Sequence, residues 1–177
     1  SIQWYNGTGG GWGGLGSYMG SGGTWNAALD DPHNHTIFMV VYRHSPLTGE
    51  VVVDEDDILH GRVPDDTVAC CAYAIDLHGG KGATGTLFLT VRDGEFYGIP
   101  YRALVPRTVE GLLVSGRCIS ATYMAAAALR VIPPAMATGE AAGTAAALSV
   151  RQGVEPRHVD IASLRFALGR QGAFLGT

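Results

Sequence analysis

Apolar positions in this chain come first in short runs and later in long alanine-rich stretches, and the change marks out its elements. Thr36 to Tyr42 (T-I-F-M-V-V-Y) is rich in β-branched and aromatic residues and predicts a strand. Pro46-Leu47-Thr48-Gly49 reads as a turn, and Glu50 to Val53 predicts a second strand beyond it. Asp54 has the character of an N-cap, with Asp57 three residues on as its capping-box partner. A short helix is therefore expected to run to His60 and stop at Gly61. Thr67 to Ile75 predicts a further strand, and Leu87 to Val91 with Glu95 to Ile99 predicts a hairpin across Arg92-Asp93-Gly94. Leu112 to Ser115 predicts a short buried strand that ends abruptly at Ser115-Gly116-Arg117. Helices are expected at about residues 135–152 and 161–170.

Strands first and helices last suggest an α+β arrangement. Three segments follow from the pattern. Residues 1–35 form a glycine- and aromatic-rich loop or lid, residues 36–110 a β-rich region, and residues 111–177 a strand followed by helices.

Composition narrows the class. A chain of 177 residues, 46% hydrophobic, is large enough for one ordinary domain with a real core. A net charge of −4 without any Lys/Arg run speaks against a nucleic-acid surface. No apolar run reaches membrane-spanning length. Ala135 to Val150 comes nearest, but it carries Glu140 and is mostly alanine, so its Gly139-x-x-x-Gly143 spacing reads as close packing rather than a membrane dimer face. No secretory leader is visible, and a cytoplasmic location is the expectation. The chain opens mid-pattern on Ser1, which reads as a piece of a longer polypeptide: a processed chain, a proteolytic product or a cut fragment.

Candidate chemistry in the polar residues is sparse. Three cysteines are too few for a disulfide scaffold. Cys70 and Cys71 are adjacent in a strand-like run and face opposite ways, which makes them buried thiols, with a vicinal disulfide as the alternative. The run Asp54 to Asp57 reads as helix-start chemistry rather than a metal site. His33-x-His35 lies beside Pro32 and Asn34 in a loop-like stretch with no third ligand in view, so no metal site is assigned. The pattern G-x-G-x-x-G occurs at Gly9, Gly11 and Gly14, and again at Gly11, Gly13 and Gly16. No apolar strand is expected before it and no helix-like run after it, so it reads as a lid-like loop carrying Trp12, Tyr18 and Trp25.

The most telling stretch is Gly111 to Leu148. The strand-end turn at Ser115-Gly116-Arg117 is followed by Pro133 and Pro134 at the head of a helical segment whose faces are almost all small. Proline suits a first helical turn, because its missing N–H would have no helical partner there. The helix N-terminus attracts negative charge, and small residues allow a flat ligand close approach. Together with D-E-D-D-I-L-H-G-R (Asp54 to Arg62), A-I-D-L-H (Ala74 to His78), F-Y-G-I-P-Y-R-A-L-V-P (Phe96 to Pro106) and E-P-R-H-V-D-I-A-S-L-R (Glu155 to Arg165), this stretch resembles the C-terminal part of the FAD-dependent oxidoreductase family, which is related to the two-dinucleotide-binding flavoproteins. The resemblance covers roughly Val51 to the end.

The resemblance implies a β-rich substrate-side region, then the C-terminal strand and helices of a Rossmann-like FAD-binding domain whose N-terminal half lies elsewhere. That half, as a second chain or a further segment, is the implied partner, together with a small-molecule substrate; nucleic acid and membrane are not. It further implies that Gly116, Arg117, Cys118 and Ser120 line the ribityl and phosphate part of FAD, with Arg130 nearby. The helix start at Pro133, Pro134, Ala135, Met136 and Ala137 points at the flavin, where Ala135, Met136 and Ala137 supply N–H donors. Arg117 and Arg130 either bond a phosphate or act as structural arginines. Cys118 either packs or takes part in electron transfer.

Tyr123 stands where the family often has histidine, and Ala103 where it commonly has cysteine. Tyr123 can still hydrogen-bond a substrate. Asp76 and His78, two apart on a strand, share a face and can bind or deprotonate a substrate hydroxyl; His78 can equally be a loop histidine before Gly79-Gly80. Tyr101 and Arg102 are further substrate-side candidates. A reading of a different class is a non-catalytic glycine- and aromatic-rich binding or assembly module that keeps the fold without the cofactor.

Overall fold

The computed structural model describes residues 2–5, 38–41, 48–78, 86–92 and 94–176. The chain divides into two compact units, Ser1–His44 and Ser45–Thr177. In the first, strands β1 (Ile2–Tyr5) and β2 (Phe38–Val41) pair antiparallel, with Ile2 opposite Val41 and Tyr5 opposite Phe38. The strand expected at Thr36 to Tyr42 is therefore present in its centre. A strand also precedes the glycine pattern, where none was expected. Its antiparallel partner distinguishes it from a dinucleotide-binding βαβ unit, in which neighbouring strands run parallel. The glycine patterns, Trp12, Tyr18, Trp25, His33 and His35 lie outside the described residues.

The second unit begins with a segment threaded between two others. Gly49 bridges Pro106 antiparallel and Val53 bridges Ala121 in parallel. Val53 donates to Ser120 O at 3.0 Å and accepts from Thr122 N at 2.9 Å. The strand expected at Glu50 to Val53 is thus a pair of isolated bridges. Helix α1 (Glu55–Leu59) follows with its capping box complete: Asp57 N donates to Asp54 Oδ1 at 2.9 Å, and Asp54 N donates to Asp57 Oδ2 at 3.1 Å. Gly61, at φ +60°, lets the chain leave the helix.

The run Thr67 to Ile75 proves to be two strands, β3 (Thr67–Cys71) and β4 (Ile75–His78), separated at residues 72–74. The expected hairpin across Arg92-Asp93-Gly94 does not form a ladder. Instead β4 pairs with β5 (Thr86–Leu89), and β3 pairs with β6 (Tyr97–Pro100), both antiparallel. One pair is nested inside the other, and the turn, marked by Glu95 N on Arg92 O at 3.0 Å, only joins them. The reason is burial. Tyr97 and Ile99 are fully buried, and pairing β6 with β3 sets them in the core beside Val68 and Ala69.

The segment Leu112 to Ser115, expected as a strand, has no ladder partner among the described residues and is tied by Val114 N to Leu104 O at 2.9 Å. Helix α2 (Tyr123–Leu129), which the pattern did not suggest, is capped by Thr122, whose hydroxyl accepts from Ala125 N at 3.2 Å and donates to Glu55 Oε2 at 2.8 Å. Helix α3 (Ile132–Gln152) starts three residues earlier than the pattern suggests and ends at Gly153. Its buried positions, Pro134, Thr138, Ala141, Ala145 and Ser149, form one stripe that packs on β3 and on helix α4 (Ile161–Arg170). Small side chains on that stripe bring α3 close to the sheet. The helix α4 spans the residues expected of it, capped by Asp160 and buried through Leu164 and Leu168. Cys70, Cys71 and Cys118 are free thiols, half-buried rather than buried. The whole is an α+β arrangement, and among the described residues no helix is long and apolar enough to cross a membrane.

Candidate functional site

The turn at Gly116 is built onto the first turns of α3. Residues Gly116–Cys118 form a 3-10 turn, and Gly116 has φ +59°, a conformation that favours glycine. A Cβ placed on Gly116 would stand 3.4 Å from Ala135 Cβ, so the turn lies within one methyl group of the helix. The Gly116 N–H donates to Thr138 Oγ1 at 3.0 Å, and that hydroxyl donates to Pro134 O at 2.7 Å. Nothing in the residue pattern singles out Thr138; it is one of two hydroxyl residues, with Ser149, on an otherwise small, aliphatic stripe.

Two arginines brace the same corner. Arg117 is exposed, and its Nε donates to Arg130 O at 3.3 Å. Arg130 closes α2 and is half-buried; its Nη2 donates to Asp76 O at 3.1 Å, joining the α2–α3 junction to β4. Both therefore bond backbone carbonyls. Cys118 lies in the same turn. Ser120 is buried one step further on, where its backbone takes part in the Val53 crossing.

The helix start departs from expectation in its donors. Pro133 and Pro134 have no N–H, and Ala135 N already bonds Val131 O at 3.2 Å. Ala135, Met136 and Ala137 therefore stand inside the helical ladder, and the first-turn donors are Val131 and Ile132. Ile132 (74% exposed) and Met136 (70%) lie one turn apart and offer apolar surface, while Pro134 is buried and Ala135 and Ala137 are half-buried.

On the substrate side, Asp76 and His78 occupy alternate positions of β4, opposite Phe88 and Thr86. Tyr73 OH approaches Asp76 Oδ2 at 3.4 Å. The His78 side chain is outside the described residues. Tyr123 is 68% exposed at the first position of α2. Tyr101 is instead a core residue, its hydroxyl donating to Pro156 O at 2.7 Å with burial pushing its pKa up, and Arg102 is paired with Asp66. Among the described residues no group of three or more His, Cys, Asp or Glu is placed to hold a metal ion.

A glycine turn seated on a small-residue helix start, next to an exposed arginine, is an arrangement suited to phosphate-bearing cofactors. The family model for FAD dependent oxidoreductase matches residues 44–168, well over half the chain, and the chain belongs to that family. No curated protein and no solved structure gave a match. Membership makes FAD the cofactor and oxidoreduction the chemistry. The residues in place fit such a group. Arg117 supplies an exposed cation, Ile132 and Met136 supply surface for a flat ring, and the helix start supplies a positive dipole end.

Proposed function

We propose that this chain forms the flavin-ring side of an FAD-dependent oxidoreductase that moves hydride between an organic substrate and flavin N5. The observation that carries the reading is the seating of the Gly116 turn on the start of α3 through Thr138. FAD, when bound, supplies the redox chemistry, and the protein supplies orientation and electrostatics. The α3 dipole and the N–H groups of Val131 and Ile132 would stabilise negative charge on a reduced flavin bound there. Arg117 holds a phosphate oxygen. Arg130 fixes the corner against β4. Asp76, His78 and Tyr123 are the candidates for binding substrate and for accepting or donating its proton.

A dinucleotide-binding half, from another chain or another segment, is proposed to hold the adenine and pyrophosphate. This chain on its own then binds FAD weakly. An absorption spectrum of the native preparation tests the flavin reading: a flavin band supports it, and a preparation that stays colourless after added FAD favours a cofactor-free module. Titrating the isolated chain with FAD tests the divided site, and tight stoichiometric binding would refute it.

A further inference from the structure

We propose that Thr138 is a positioning residue for the flavin site, setting the height of the Gly116 turn above the start of α3. The proposal rests on the flavin reading above and deepens it.

Thr138 is fully buried on the small-residue stripe of α3, one turn beyond Pro134. A hydroxyl has one proton to give, and Thr138 has two carbonyls of the first helical turn to give it to, Pro134 O at 2.7 Å and, longer, Ala135 O at 3.2 Å. Its lone pairs are thereby left for the Gly116 N–H at 3.0 Å. The result is a directed chain, from the Gly116 amide through the Thr138 hydroxyl to a carbonyl of the first helical turn. A threonine bonded back to the carbonyl four residues before it also bends a helix locally. The one hydroxyl thus acts on both partners: it shapes the end of α3 and holds the turn against it.

No other described group takes the Gly116 N–H, and a buried amide left unpaired is strongly disfavoured. Without the hydroxyl the Gly116 N–H has to find another acceptor, and the turn shifts toward one. Arg117 follows Gly116 directly and moves with it. The spacing between the phosphate-holding cation and the dipole end of α3 would then change, and both act on the cofactor.

The test compares Thr138→Val, nearly the same shape without the hydroxyl, with Thr138→Ser, which keeps it. Both are made in the flavin-containing holoenzyme and read by FAD affinity, flavin absorption spectrum and flavin midpoint potential. T138V is expected to weaken FAD binding about tenfold, the equivalent of one net buried hydrogen bond, and to shift spectrum and potential. T138S is expected to stay within about twofold of the wild type on all three. A merely structural threonine would lower thermal stability in T138V and leave spectrum and potential of the bound flavin in place. That result, or T138V and T138S binding FAD alike, overturns the proposal. If T138V does not fold, Thr138→Cys, whose sulfur is a weak acceptor, takes its place with the same expectations. A wild type that carries no FAD defeats the flavin reading and this proposal with it. The proposal's own failure is distinct, because it requires a wild type that does bind FAD.

Discussion

Arg102 holds Asp66 through three nitrogens: Nε at 2.8 Å and its backbone N at 3.2 Å donate to Oδ2, and Nη2 at 3.1 Å donates to Oδ1. Asp66 is 6% exposed and also accepts through its carbonyl from Tyr101 N at 2.8 Å. The pair thus ties the chain entering β3 to the chain leaving β6.

Acid sensitivity follows from this pair. Burial works against the Asp66 charge, but the bonds from Arg102 outweigh it and hold the carboxyl below its ordinary value of 3.8. A carboxylate with a lowered folded pKa stabilises the protein above the unfolded value and loses that contribution as pH falls through the folded one. Urea melts from neutral pH down to about pH 3 are expected to show the wild type well above Asp66→Asn at neutral pH, with the gap closing below about pH 4. A gap that does not change with pH would contradict this account.

Gly98 faces Thr67 across β3 and β6. A Cβ there would sit 2.3 Å from Thr67 Oγ1 and 2.9 Å from its Cγ2, inside the core. Gly98→Ala is expected to destabilise by about 1–3 kcal/mol, as overpacking does. The double variant with Thr67→Ala should lose less than the sum of the single changes, because the clash is removed. Strict additivity would show that the two residues do not meet.

Arg157 fastens the loop before α4 to the start of the second unit. Its Nη1 meets Glu50 Oε1 at 3.0 Å, its Nε meets Glu110 Oε2 at 2.6 Å, and its Nη2 meets Pro106 O at 3.0 Å. Glu110 is mostly exposed, so the net contribution rests on the inner two partners. Arg157→Ala is expected to cost about 2 kcal/mol in a denaturant melt. Arg157→Lys should recover less than half of it, because an ammonium cannot serve three partners in a fork.

Leu168 is fully buried under α3, one turn from Leu164 on α4. Leu168→Ala is expected to lower stability by about 2–5 kcal/mol, through lost burial and the cavity left behind. A loss below about 1 kcal/mol would mean that α4 does not anchor the core.

Where the sequence could be read, the forces were local. The Asp54–Asp57 box, the stop at Gly61 and the bounds of α4 depend on residues within one or two turns of one another, and the structure has each of them. The strand pairings differ from the sequence expectation for the opposite reason. Leu87 to Val91 and Glu95 to Ile99 are neighbours in sequence with a turn between them, yet each pairs with a strand further upstream, and for β6 that pairing buries Tyr97 and Ile99. Helix α2 leaves no mark in the pattern because its alanines carry no period, and its start depends on a Thr122–Glu55 contact across 67 residues.

The candidate site divides along the same line. By itself the sequence determined the family, the glycine turn at Gly116 and the proline-headed small-residue helix, because these are properties of residue type and order. Tertiary structure alone decided that Thr138 joins the two, that Arg130 reaches the backbone of Asp76, and that the Ala135 N–H is taken by Val131 O. A hydrogen bond forms where two groups arrive within about 3 Å in the right direction, and packing of the whole core sets that arrival.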